Sequence, residues 1–290
     1  MSRKTAFCCC LAALIMLIAA QVLAQLLAGL FAQLGVPTWV CNILAGFLYA
    51  LLAFGLLKII MEKIFKLSLP DLGMPKLTLQ GKWVAVAVLL PMGVKAIYLF
   101  LIPGKLVPSG MNREEILQTL SAGIFFMGMA AGFVEEMVFR GVILNATRRA
   151  WGTKMAVVFP SMLFGLVHIL GREFSLGNCL LVVLAGTMVG VMFSLIALES
   201  GSAWNGAVVH AVWNVVIIGG GLAIGERADE YSVMTYVLST KGFAITGGEF
   251  GVESSVISLA GYLLVALIAL YFSACHLTGD CHTGVRTGSQ

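Results

Sequence analysis

Between residues 128 and 140 the chain reads G-M-A-A-G-F-V-E-E-M-V-F-R, two adjacent carboxylates and a guanidinium inside an apolar run that extends from about 121 to 143. A run of that length crosses a bilayer as a helix, and insertion scales charge about 2.5–3.5 kcal/mol for each ionised side chain near its middle. Residues that costly restrict the fold, because they must face the interior of a bundle, pair with one another or line a cavity. At 3.6 residues per turn Glu136 and Arg140 share a face, with the acid N-terminal to the base, the better order for an intrahelical pair. Glu135 is turned about 100° from Glu136 and about 140° from Arg140. It is therefore expected to face the bundle interior without a local partner, while Arg140 holds Glu136 as a structural ion pair. The alternative is one buried packing network of all three.

The remainder of the chain agrees with a membrane setting. It is 60% hydrophobic and 11% charged, with a mean hydropathy of +0.99, whereas soluble domains are about 25% charged. Apolar runs at about 6–34, 39–60, 83–102, 121–143, 155–170, 180–198, 203–222 and 256–274 predict an all-α, polytopic membrane protein: one integral membrane domain over 1–290, a bundle of about eight transmembrane helices. Ser2-Arg3-Lys4 before the first run imitates a signal peptide, with V-L-A-Q near residue 24 as a weak cleavage site. A signal-peptide core has only roughly 7–15 residues, so an uncleaved span is expected. Cys8-Cys9-Cys10 read as small apolar residues, with acylation as the alternative. The seven cysteines do not have the spacing of a disulfide framework.

With eight spans, Arg3, Lys4, Lys58, Lys63, Lys66, Lys76, Lys82, Arg148, Arg149, Lys154 and Arg286 fall on the side of the N-terminus. Lys105, Arg113, Arg172, Arg227 and Lys241 fall on the other, and Lys95 and Arg140 lie within spans. The asymmetry predicts both termini in the cytoplasm, with the inner (plasma) membrane of a bacterium as the expected location. The basic residues form no stripe with interleaved aromatics, so nucleic-acid binding has no support; the bilayer is the expected partner. The pairs Gly128/Gly132 and Gly186/Gly190 predict close approach of helices.

Two histidines sit in apolar runs. His168 ends F-G-L-V-H with Phe164 one turn earlier, and His210 begins H-A-V-W-N with Asn214 one turn later. Glu135 precedes Arg148 by thirteen residues and His168 follows Lys154 by fourteen, so both lie about 20 Å from the same membrane face. His210 is about 10 Å from the start of its run at Ala203, so the E-S-G-S-A link must dip into the bilayer for His210 to join them. Glutamate with histidine can take a proton from water, and a second histidine with an asparagine amide can donate to a developing oxyanion. That combination suits amide hydrolysis of a peptide or protein substrate. Alternatively, Glu135, His168 and His210 are three zinc ligands. The usual local zinc signature, H-E-x-x-H, is absent, so no cofactor is favoured and zinc stays open.

E-E-M-V-F-R (135–140), F-G-L-V-H (164–168) and H-A-V-W-N (210–214), in that order on separate runs, resemble the three motifs E-E-x-x-x-R, F-x-x-x-H and H-x-x-x-N of the CPBP family. That family comprises the CAAX prenyl endopeptidases and the bacteriocin-processing or Abi proteins. The resemblance covers about 121–221, the core carrying the three motifs, and D-L-G-M-P-K and G-G-E-F-G-V-E-S-S also resemble softer family features. It implies an intramembrane endopeptidase, a hydrolase in which Glu135 and His168 activate water, His210 and Asn214 form the oxyanion site, and Arg140 supports the glutamates, by a metal-free glutamate mechanism. A catalytically idle scaffold or immunity protein of the same fold is one alternative. A proton- or metal-coupled transporter is another, which inverted repeats would favour, and none is found. The charged segment 222–255 reads as a solvated loop, with a lid as the alternative. The tail C-H-L-T-G-D-C-H (275–282) offers two Cys-His pairs, but C-x5-C is not a standard zinc spacing.

Overall fold

The computed structural model describes residues 1–170 and 175–278. Cys281 and His282, like Arg172 and Arg286, lie outside the described residues. Each of the eight apolar runs is helical: α1 (Arg3–Gln33), α2 (Thr38–Ile59), α3 (Gly81–Leu101), α4 (Arg113–Trp151), α5 (Thr153–Val167), α6 (Leu176–Ser200), α7 (Ala203–Ile217) and α8 (Val256–Thr278). Six of these, rather than all eight, are long and apolar enough to cross a membrane. Helices α5 and α7 have 15 residues each, about 22 Å at 1.5 Å per residue against a hydrocarbon core of about 30 Å. The protein is thus an all-α, polytopic integral membrane protein with about six long apolar helices.

Local chemistry sets the helix starts. Asn112 accepts from Glu115 N–H (3.1 Å) while the Glu115 carboxylate accepts from Asn112 N–H (2.7 Å), a capping box that opens α4 on its polar first turn. Ser2, Ser175 and Ser202 cap α1, α6 and α7 in the simpler way. Helix α4 is not uniformly wound: Ala122–Ala130 and Met137–Ile143 are π-helical, on either side of the α-helical Ala131–Glu136. Single π-helical insertions concentrate at functional sites. These two bracket the glutamates.

Two buried clusters form the core. One joins α1, α2 and α4 through Tyr49, Leu57, Phe139 and Val142; the other joins α3, α6, α7 and α8 through Trp83, Tyr98, Phe193 and Trp213. Small residues set the closest helix contacts, as their spacing predicts. A Cβ on Gly132 would lie 2.8 Å from Ala211 N in α7, and one on Gly190 would lie 2.7 Å from Ser161 Cα in α5.

The segment 222–255 corrects the solvated-loop expectation. Strand β1 (Gly104–Pro108) pairs antiparallel with β3 (Met234–Leu238), and β2 (Leu222–Gly225) pairs parallel with β3, giving the order β1-β3-β2. Its charges cluster in the turns, whereas Ile224, Tyr236, Leu238 and Val252 are buried against the bundle. Hydroxyls from the helices hold its main chain at two points: Tyr98 donates to Ile245 O (2.5 Å) and Tyr262 to Glu253 O (3.0 Å). The segment is a folded cap over one end of the bundle.

Candidate functional site

Helix α4 places Glu136 and Arg140 one turn apart in the centre of the bundle. Arg140 Nη1 donates to Glu136 Oε1 (2.8 Å) and Nη2 to Gly190 O in α6 (3.1 Å), and both side chains are 0% exposed. The expected ion pair is therefore present and fully buried, so removing either partner would strand a charge. His210 of α7 extends it. Its Nδ1 lies 3.0 Å from the same Glu136 oxygen, and its Nε2 lies 3.8 Å from Glu135 Oε2. Glu135 is thus not without a partner, as the helical geometry alone implied, because the neighbouring helix brings an imidazole between the two carboxylates.

Aromatic rings fix the cluster in place. Phe193 of α6 stacks on His210 (4.8 Å between centroids, 20° between planes) and Phe164 of α5 meets it edge-on (5.9 Å, 73°). Both rings also face the guanidinium, whose Cζ is 4.6 Å from the Phe164 centroid and 5.1 Å from that of Phe193. Four helices, α4 to α7, each contribute one wall.

The depth of His210 has a structural cause. The loop between α2 and α3 folds over the start of α7: Ala203 N–H donates to Gly73 O (2.8 Å), Trp204 Nε1 to Pro75 O (2.7 Å), and Gln80 N–H to Asn205 Oδ1 (2.9 Å). Ala203 to Ala207 are all buried beneath it. Helix α7 therefore begins below the bundle surface, which brings His210 level with Glu136.

Glu135, Phe164, His168, His210 and Asn214 line one cavity of about 560 Å³, together with Val182, Ala185 and Val189 of α6 and residues of the cap. His168 sits at the C-terminal end of α5, where its Nδ1 is held by Phe164 O (2.6 Å) and its ring lies 6.2 Å from that of Phe250 in the cap. With Nδ1–H given to a carbonyl, a neutral His168 keeps its lone pair on Nε2. Asn214 donates from Nδ2 to Met127 O (3.1 Å), in the first π-helical stretch. Among the described residues no ion pair within 4 Å joins Glu135 to His168.

The zinc alternative is not assembled in this arrangement. The Nδ1 atoms of His168 and His210 are held by Phe164 O and Glu136, which leaves each Nε2 as the ring nitrogen able to ligate a metal, but among the described residues no three His, Cys, Asp or Glu side chains converge as metal ligands.

Fold and site together define a membrane-embedded helical protein with a buried Glu-Arg-His cluster that opens on a cavity. Residues 117–216, about a third of the chain, match the family model described as type II CAAX prenyl endopeptidase Rce1-like, so this part is a CAAX protease domain of the Rce1-like, CPBP superfamily. No curated protein and no solved structure matches the chain. The matched stretch contains every residue of the cluster. Sequence reasoning missed Phe193, which belongs to no motif, and the cap residues. It read Gly190 as a packing residue only, although the Gly190 carbonyl also holds Arg140.

Proposed function

We propose that this protein is an intramembrane endopeptidase that hydrolyses a peptide bond in a membrane-associated peptide or protein tail. The observation that carries the reading is His210 standing between Glu135 and Glu136 on the wall of a partly open cavity. Glu135, the glutamate that faces the cavity, takes a proton from water as the water oxygen attacks the scissile carbonyl, and His168 Nε2 orients that water. The negative charge that develops on the carbonyl oxygen is met by His210 Nε2–H and the Asn214 amide. For Nε2 to donate while Nδ1–H is held by Glu136, both ring nitrogens carry hydrogen. The proton on Glu135 then passes to the leaving amine as the tetrahedral intermediate collapses. Glu136 and Arg140 position His210 and take no part in the proton transfer.

The reading has an orientation attached, both termini in the cytoplasm of a bacterial cell and the cap on the external face. The test compares the peptide termini in membranes that contain the parent protein with those that contain Glu135→Ala. Full-length membrane polypeptides should accumulate in the variant and matching cleaved termini should disappear. Identical sets of termini would refute the assignment.

A further inference from the structure

Strand β2 is one edge of the three-stranded sheet. Met234 N–H donates to Gly221 O (3.1 Å), and Leu222 is in register with Met234. In a parallel ladder that pattern turns the N–H and C=O of Ala223 toward β3 and those of Leu222 and Ile224 toward the opposite edge. A side chain beyond that edge agrees: Lys95 Nζ of α3 donates to Leu222 O (2.8 Å). Ile224 is only 7% exposed, yet among the described residues its N–H and C=O have no hydrogen-bond partner. Buried main-chain groups are nearly always paired, and these two belong to a residue that lines the cavity holding Glu135, His168 and His210.

We propose that the edge of β2 at Ile224, next to the Leu222 carbonyl that Lys95 holds, receives the substrate main chain as an added strand, with Ile224 N–H and C=O forming the pair of hydrogen bonds that sets the register of the scissile bond before Glu135. The inference rests on the endopeptidase reading and gives its substrate class: a locally unfolded, extended segment recognised through its backbone. Strand addition draws affinity from main-chain bonds and specificity from pockets for alternate side chains. Here the apolar part of the cavity, Val182, Ala185 and Val189, supplies such a pocket. A helical transmembrane segment cannot pair in this way, because its amide groups are already bonded within the helix. It must unwind first.

The experiment uses the full protein with Glu135→Gln in lipid nanodiscs, so that bound peptide is not consumed, and internally quenched decapeptides of alternating leucine and serine as the probe. Amide hydrogen exchange is followed across 222–225 with and without peptide, and a peptide N-methylated at one position at a time is titrated against the same protein. Exchange at Ile224 should slow at least about tenfold, and N-methylation at one position should weaken binding about tenfold while its neighbours have little effect, the ratio expected for one lost main-chain bond. Ile224→Pro is measured beside Ile224→Ala; both lose the side chain, but only proline loses the N–H, and an edge strand accepts it. The proline variant should bind about tenfold more weakly than the alanine variant. Binding without protection at Ile224, a flat N-methyl scan, or no binding by any of the peptides would overturn the proposal. Binding with protection, in a protein whose parent form cleaves none of the bound peptides, would overturn the endopeptidase reading and leave the strand site standing.

Discussion

Glu135 and Glu136 share His210 but differ in burial and in their other contacts. Glu136 is sealed in the bundle with Arg140 and His210, and Glu135 keeps 23% of its side chain exposed beside the cavity. Glu135→Gln should therefore abolish turnover while leaving the thermal midpoint in detergent close to that of the parent. Glu136→Gln leaves a buried guanidinium unpaired and should lower stability by roughly 3–5 kcal/mol. It should also lower turnover, because His210 loses the charged carboxylate that orients it. The double variant Glu136→Gln/Arg140→Gln should recover part of the stability and none of the turnover, since the orienting carboxylate is still missing. An active Glu135→Gln would reassign the base to the second carboxylate. Much of this site was legible from spacing alone: the i, i+4 pair, and two histidines each marked by a residue one turn away. What spacing could not give was the partner of Glu135, because a contact between helices depends on their rotation and approach, which no single run of residues encodes.

At the scale of elements, Gly132 lies one turn before Glu136 and rests against Ala211, the residue after His210. A methyl group there would push α4 from α7 at the point where the Glu136–His210 bond spans them. Gly132→Ala should therefore lose about 1–3 kcal/mol, as overpacked cores do, and turnover should fall with it; a midpoint and rate equal to the parent's would remove Gly132 from this role. The loop that roofs α7 is tied down by Asp71, which Ser68 and then Arg149 hold at a carboxyl pKa of about 2, below its ordinary value. A lowered folded-state value means that the tether contributes fully above about pH 4 and is lost as pH falls toward about 2. Amide exchange over 73–80, corrected for its intrinsic pH dependence, should accelerate across that window, and Asp71→Asn should show the acid behaviour already at neutral pH. Helices and their caps were readable from apolar runs and from residues such as Asn112 and Glu115. The π-helical windings of α4 were not, since a 4.4-residue turn leaves no period in so short and uniformly apolar a stretch. The cap was misread because its charged turns outweigh, in composition, the few residues that bury it.

For the whole molecule, the proposed orientation puts the α2–α3 loop and the α4–α5 junction in the cytoplasm and the cap outside. Reporter fusions after Lys66 and Arg149 should read cytoplasmic and one after Arg113 external; a cytoplasmic signal at Arg113 would invert the arrangement. The class of fold followed from hydropathy, yet the count of full spans did not, because α5 and α7 are as apolar as the others and differ only in length. The order in which these parts leave the ribosome matters as well. Strand β1 is made before α4, but its partner in β3 follows only some 130 residues later, with Leu106 opposite Tyr236. At roughly 5–20 residues per second that is a wait of about 6–26 s, during which the Glu-Arg-His cluster can already form from α4 to α7 while the cap cannot. If the proposed endopeptidase activity and strand site hold, the protein is thereby kept from presenting a finished binding edge to its own nascent chain, and to its neighbours at the translocon, until nearly all of its helices are in place. Nascent chains arrested shortly before residue 234 should carry the assembled cluster, detectable as a crosslink between cysteines placed at Gly132 and Ala211, and yet show no cleavage of a substrate that the completed protein cuts.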